Sequence, residues 1–158
     1  MTPQGAGAPD STPRPQPPQR QVYGYWNRLT TRWSDNDCYG HVNNATYYTY
    51  IDTVVNNYLI DRGGLVPSES GTVGVVVQSQ CRYARSFTYP QVIEAGLRVT
   101  HIGNRSVTYE VGMFFEGDPV AAVWGGFTHV FVDRAEQKPV TMPADIRRAL
   151  EQIAGVDA

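Results

Sequence analysis

Cysteine is scarce. Cys38 and Cys81 are the only two in 158 residues, too few for a disulfide scaffold or for a zinc site built of four cysteines. Lysine is scarcer still, with Lys138 standing alone. Neither sign of charge is in excess: 13 Lys+Arg against 15 Asp+Glu leave a net charge of −2. A protein built to hold a nucleic-acid backbone carries a basic surplus that this one lacks. No stretch reaches the roughly 18 consecutive apolar residues of a membrane span. The first residues, MTPQGAGAPD, lack the basic start and apolar run of a secretion signal. These absences lead us to expect a soluble, cytoplasmic protein with no nucleic-acid or membrane partner, long enough to bury one core.

Proline is present but unevenly placed, with six of the eleven before residue 20, in PQGAGAPDSTPRPQPPQRQ. Such a segment has too little apolar surface to offset its ordering entropy. Residues 1–21 are therefore expected to form a disordered, solvated, Pro-rich tail, in which PRPQPP has the spacing of a polyproline ligand. Residues 22–158 remain for a single domain.

Periodicity orders that domain. YGYWNRLTTRW, from Tyr23 to Trp33, has the aromatic and β-branched content of a strand. Beyond a polar loop, Tyr47, Tyr48, Ile51, Val54, Val55, Tyr58 and Leu59 recur every three or four residues, the helical period. Asn43 or Asn44 is a suitable N-cap and Gly63-Gly64 a suitable stop. Helix propensity there is poor, so burial has to hold the helix. Val75, Val77, Ser79, Cys81 and Tyr83 alternate with polar neighbours, as do Ile93 to Val99 and Val107 to Phe115. A last strand is expected over Val120 to Val132, with Gly125-Gly126 marking a bulge or a close backbone approach. The connections at Gly103-Asn104 and Glu116-Gly117-Asp118 suit antiparallel hairpins, and MPADIRRALEQIAG suits a terminal helix. The order β-α-β-β-β-β-α predicts one antiparallel sheet with one long apolar helix to bury against it.

The chemistry concentrates between Asp35 and Asp52, in DNDCYGHVNNATYYTYID. A carboxylate (Asp37), an imidazole (His41) and two amides (Asn43, Asn44) precede a helix start. The unpaired N–H groups and partial positive charge at such a start favour an anion or oxyanion. On composition alone, the same residues also describe an ordinary capped turn.

This stretch resembles the signature of hotdog-fold acyl-CoA thioesterases, the 4-hydroxybenzoyl-CoA thioesterase-like group. Asp37, Gly40, His41-Val42-Asn43-Asn44, Tyr47, Tyr50 and Asp52 fall at its positions, and the element order fits over residues 22–134. The resemblance implies an α+β hotdog fold, a curled antiparallel sheet wrapped around one long central helix. It implies hydrolysis of an acyl-CoA thioester to carboxylic acid and CoA, with no cofactor and no metal. Asp37 stands at the catalytic carboxylate, as nucleophile or general base, and the backbone N–H of Asn44 at the position that polarises the carbonyl. His41 would orient or exchange protons, while Asn43 and Tyr47 would bind substrate. Plant-type relatives carry an Asn where this chain has Tyr39. Arg105, after the glycine-containing hairpin, stands where relatives contact the nucleotide, with Arg82 and Arg85 as further candidates. The family joins protomers edge to edge, so a homodimer, or a homotetramer made of two dimers, is implied, with the site at the boundary. Three alternatives remain: a non-catalytic acyl-CoA-binding module, an acyl-carrier-protein thioesterase, and hydratase or dehydratase chemistry on the same fold, which usually wants a histidine that this helix lacks.

Other residues carry less. Cys38 lies three residues before His41, but sequence spacing alone does not make a Cys–His nucleophile. His41, His101 and His129 have no metal-ligand spacing. Asp52 reads as a paired structural carboxylate and Asp35 as a solvated turn residue. The tyrosines of the central helix, with Phe87, Phe114, Phe115 and Phe127, offer aromatic surface for an acyl slot.

Overall fold

Seven side chains of the long helix are buried, and their spacing explains why the sheet forms on one side of it. In the computed structural model, which describes residues 13–155, the main elements are β1 (Tyr25–Thr30), α1 (Thr46–Asp61), β2 (Thr72–Tyr83), β3 (Val92–Ile102), β4 (Ser106–Phe114), β5 (Val123–Asp133) and α2 (Ala144–Gln152). The strands form one sheet in the order β1-β3-β4-β5-β2, and every pairing is antiparallel. The antiparallel sheet and long helix are those that the element order predicts, and together they form the hotdog fold that the resemblance implies.

The odd-numbered residues of β3, β4 and β5 face α1. Ile93, Leu97, Val107, Val111, Met113 and Phe131 form one cluster with Tyr47, Ile51, Val54, Val55, Tyr58 and Leu59 of the helix. Ile51, Val54 and Val55 are fully buried, and each contributes about 2 kcal/mol relative to exposure. The helix ends as its glycines predict. The N–H groups of Gly63 and Leu65 both donate to the Leu59 carbonyl, across a Gly64 with a φ of +69° that favours glycine. Its start differs from expectation. Ala45 is the N-cap and no side chain caps it. Asn43 instead accepts the Ala45 N–H on its side chain and the Thr46 N–H on its carbonyl, so it secures the turn leading into the helix.

The even-numbered face of the sheet has its own cover. Tyr23 lies across Gly96 and Gly112, where a Cβ on Gly112 would fall 2.5 Å from the tyrosine oxygen. That hydroxyl donates to Glu110 at 2.9 Å. Phe114 belongs to this outer cluster with Tyr23, Ala121 and Trp124, so it lies on the opposite face from the helix and cannot line a slot there. The last residues of the expected tail are engaged in this cover. The Pro18 carbonyl accepts the Ala121 N–H, the Arg20 N–H donates to Pro119, and the Arg20 guanidinium bonds Glu94 while stacking over Trp26 and Phe114. Aromatic and ionic contacts from the sheet supply what this segment's own composition lacks. Residues 1–12 of the expected tail lie outside the described residues.

Three strands depart from simple alternation, β3 by a register shift between Val99 and His101 and β5 and β2 in other ways. Gly125 and Gly126 mark a close approach as expected: a Cβ would fall 2.3 Å from the Gln80 oxygen at the first and 1.9 Å from the Tyr109 oxygen at the second. In β2 the register shifts between Val76 and Gln78. Gly74 and Val76 share the faces of Phe131 and His129, whereas beyond the shift Ser79 and Cys81 share those of Phe127 and Gly125. The extra residue divides what reads in the sequence as one continuous face running from Val75 to Tyr83.

Candidate active site

Asp35 and Asp37 share a loop and meet opposite surroundings. Asp37 is half-buried at the start of a turn whose fourth residue, Gly40, has a φ of +82°. The Asp37 N–H donates to the His41 carbonyl, and the Gly40 N–H donates back to the Asp37 carbonyl. Its carboxylate accepts the Tyr39 N–H at 2.9 Å and, more weakly, the Asn43 side-chain amide at 3.4 Å. The outer wall of the turn is clamped to the segment before β3. The Val42 N–H donates to Phe87, the Thr88 hydroxyl to the Gly40 carbonyl, and the Tyr89 N–H to the Asn36 side chain.

Asp35 is not the solvated turn residue that its composition suggests. It is 2% exposed. Its carboxylate accepts the Arg32 N–H at 2.8 Å, the Arg32 guanidinium and the Tyr50 hydroxyl at 2.5 Å. Burial by itself pushes this carboxyl upward. The Tyr50 hydroxyl and the Arg32 donors together outweigh it and hold the group below its ordinary value. Tyr50 is correspondingly pushed up, by burial first and then by Asp35. One signal was present in the sequence: Arg32 and Asp35 have capping-box spacing around the short turn Trp33–Asp35. The other partner, fifteen residues on, had no local signal.

Of the six residues singled out, five are gathered at one end of the sheet. Asn43 touches Asp37 directly. Asn44 follows it at the helix start, exposed, with its carbonyl accepting the Tyr83 hydroxyl at 3.1 Å and its N–H free of any hydrogen bond among the described residues. His41 is exposed on the turn. Tyr47 is buried one position into the helix, and its hydroxyl oxygen accepts the Phe87 N–H at 3.0 Å. Its ring packs on Tyr50, Tyr83 and Phe87, which fixes the wall behind the turn.

Arg105 is the sixth, and the protomer does not bring it there. It stands on the β3–β4 connection, where its carbonyl accepts the Phe131 N–H. The Asp37 loop adjoins the other end of β3, through Thr88 and Gln91. The 11 residues of β3 separate the two, a span of roughly 35 Å. Arg82 is on β2, next to Tyr83 at the site end, exposed and without an acidic partner among the described residues. Arg85 bonds Asp118 at 2.8 Å.

Two further features border the site. Trp33 and Tyr39 are each 83% exposed, flanking the two carboxylates in sequence. A groove of about 600 Å³, lined by Thr31, Tyr89, Gln91, Phe115 and Glu116 among others, runs beside the segment that clamps the turn, without Asp37 in its wall. Among the described residues no cluster of three His, Cys, Asp or Glu side chains could hold a metal ion, and no helix is long and apolar enough to cross a membrane. A half-buried carboxylate tied through Asn43 to a helix start, and an Asn44 N–H without a hydrogen bond among the described residues, are the parts for acyl transfer: a base or nucleophile, and a donor for the oxyanion.

Comparison with known proteins agrees with that chemistry. The PA5185 protein from Pseudomonas aeruginosa strain PAO1 has a crystal structure 46% identical in sequence, covering 91% of this chain and 100% of its own, with a TM-score of 0.87. The PA2801 protein of the same species is 26% identical over 82% of this chain and 98% of its own, with a TM-score of 0.74. YsmA of Bacillus subtilis (strain 168) is 25% identical over 129 residues, 81% of this chain and 86% of that protein. A family model described as the thioesterase-like superfamily matches residues 31–150, from just after β1 into the last helix. The chain belongs to the thioesterase-like superfamily, and thioester hydrolysis is its class of chemistry.

Proposed function

We propose that the protein hydrolyses acyl-CoA thioesters to the free acid and CoA, with Asp37 as the base or nucleophile. The observation that carries this reading is the Asp37 carboxylate, held beside the helix start by Asn43, with the Asn44 N–H unpaired. A thioester carbonyl placed against that N–H would gain an oxyanion donor as the tetrahedral intermediate forms. As base, Asp37 takes a proton from water while the water oxygen bonds the carbonyl carbon. The C–S bond then breaks, and the departing thiolate recovers the proton. As nucleophile, Asp37 bonds the carbonyl carbon and the C–S bond breaks, expelling the CoA thiolate. Water then hydrolyses the mixed anhydride, which frees the acid and the Asp37 carboxylate while the thiolate takes up the proton. His41, exposed on the same turn with its carbonyl bonded to the Asp37 N–H, would orient the water or the carbonyl.

The pocket would be completed by a second copy. β2 is an edge strand of 12 residues on which three successive valines are exposed, Val77 by 60%. A soluble protein rarely leaves such an edge unpaired. A two-fold pairing of β2 with its counterpart is antiparallel, so the Tyr83 end of one strand meets the Thr72 end of the other. The Thr72 end adjoins β5 at Asp133, close to Phe131, whose N–H the Arg105 carbonyl accepts. Arg105 of the partner subunit would then reach the site that its own protomer's Arg105 does not, and forked guanidinium donors suit the phosphates of CoA.

The test is release of free thiol from a panel of acyl-CoAs of graded chain length and of aromatic acids. The reading predicts turnover for at least one member, and a loss on the order of a hundredfold or more in Asp37→Asn with the fold intact. His41→Ala should lose less. Saturable binding with no thiol release would make the protein a binding module. Flat, low rates across the series would point to an acyl-carrier protein as the native carrier. An undiminished Asp37→Asn would move the chemistry elsewhere.

A further inference from the structure

Asp35 is buried, ionised and unused by the mechanism above. It sits two residues before Asp37, and its bonds reach three separate parts of the site. The side chain binds the Arg32 backbone and guanidinium, where the chain leaves β1. It also takes the hydroxyl of Tyr50, one turn inside α1. Its backbone carbonyl accepts the Asn43 N–H at 2.9 Å. Asn43 in turn holds Asp37 through its side-chain amide and the helix entrance through its oxygens. The path from the helix to the catalytic carboxylate is therefore continuous: Tyr50 hydroxyl, Asp35 side chain, Asp35 carbonyl, Asn43 amide, Asp37.

We infer that the Tyr50–Asp35 pair is a positioning device for Asp37, which locks the loop at a fixed place against the start of α1 without touching substrate. The inference rests on the reading of Asp37 as the reacting carboxylate. A hydrogen bond made to a rigid helix fixes a loop more tightly than bonds within the loop, because the helix is itself held by its buried face. The Tyr39 N–H orients the Asp37 carboxylate only relative to its own turn. The long 3.4 Å contact to Asn43 is the one direct tie from that carboxylate to the helix entrance, and it is only as well placed as Asn43. Asn43, whose N–H is anchored on Asp35, is well placed only while Asp35 stays where Tyr50 holds it. Misplacing a reacting group by a fraction of an ångström costs rate rather than binding.

Tyr50→Phe tests this with little disturbance, because it keeps the ring packed and leaves Arg32 on Asp35. We expect kcat to fall about tenfold with KM within about twofold, since the pair aligns a reacting group and holds no substrate. The decisive comparison is a cycle with Asp37→Asn. If Tyr50 acts through Asp37, the double variant should be no slower than Asp37→Asn alone, whereas an independent structural role would multiply the two losses. A second readout does not depend on activity. In NMR spectra, the Asn43 side-chain amide and the Asp37 carboxyl carbon should both shift between the wild type and Tyr50→Phe. Multiplied losses, a raised KM with kcat unchanged, or unmoved Asn43 and Asp37 signals would each overturn the inference. A wild type without thioesterase activity would overturn the functional reading instead, and the NMR comparison would still decide whether Tyr50 positions Asp37.

Discussion

Asp35 and His129 are buried to nearly the same depth, 2% and 5% exposed, and the protein keeps one charged and the other neutral. Asp35 has a backbone N–H, a guanidinium and a phenol as donors. Its hydrogen bonds overcome the cost of burial and hold it below the ordinary carboxyl value. Among the described residues, the Nδ1 atom of His129 has no hydrogen-bond partner, nor has the nearby Tyr109 hydroxyl. The imidazole is enclosed by Phe127, Tyr109 and Phe131, with ring centroids 4.6, 5.4 and 6.3 Å away. It leans over Gly74, where a Cβ would fall 2.4 Å from Nδ1. Burial alone pushes its pKa down to about 4. Depth does not decide the charge of a buried group; the donors waiting for it do. The satisfied group stands two residues from Asp37, the carboxylate proposed to react, where position matters. The unsatisfied one fills a hydrophobic layer, where shape matters.

Acid should separate the two most widely. Between the ordinary histidine value of 6.5 and about 4, the unfolded chain binds a proton at residue 129 and the native protein does not. The stabilisation is therefore complete above pH 6.5 and drains away as pH falls, the loss reaching about 3 kcal/mol by pH 4. Urea midpoints at pH 7 and pH 4.5 measure this, and His129→Phe should lose most of the difference. An equal slope in the variant would clear His129 of any part in it. Asp35 works in the other window. Its lowered pKa contributes stability above about 3.8, which is lost only as pH drops through the lower native value.

Removing the charge of Asp35 gives the next effect. Asp35→Asn replaces an acceptor oxygen by a donor against Arg32 or Tyr50, which should cost about 2 kcal/mol at neutral pH. Chemical denaturation checks it, and a loss below about half a kilocalorie would mean that the donors are easily rehoused. The smallest effect concerns the unpaired hydroxyl. Tyr109→Phe deletes a buried group that has no partner and should be neutral or stabilising by up to about 1 kcal/mol. A clear drop in Tm would show that the hydroxyl has a partner after all.

What was legible in the sequence was periodic or local. The element order, the long helix and its glycine stop, the two hairpins and the close approach at Gly125-Gly126 all followed from repeats of two or 3.6 residues and from turn chemistry. What was not legible depended on partners far away in the chain. The burial of Asp35 needs Tyr50, and the hydroxyl of Tyr47 is occupied by Phe87. The bulge after Val76 adds one residue to a run of valines that looks uniform, so the face it reverses cannot be read locally. Arg105 looked suitable by its place after a hairpin, but only the sheet order shows that this hairpin lies at the end remote from Asp37. The site loop was visible as a motif. Its supports were not.

The bare outer surfaces of Gly96 and Gly112 set where the folding unit begins. Tyr23 fills both, and the segment from Pro18 onward is stitched to residues 119–121, although the family match starts only at residue 31. A chain trimmed to the first residue of β1 would leave Trp26, Phe114 and Trp124 facing water as one aromatic patch, and one trimmed to that match would lose β1 as well. Such a trimmed protein should be poorly soluble, whereas one beginning just before Pro18 should behave like the whole. The smallest independent form of this protein should therefore be longer than the stretch that the family model matches.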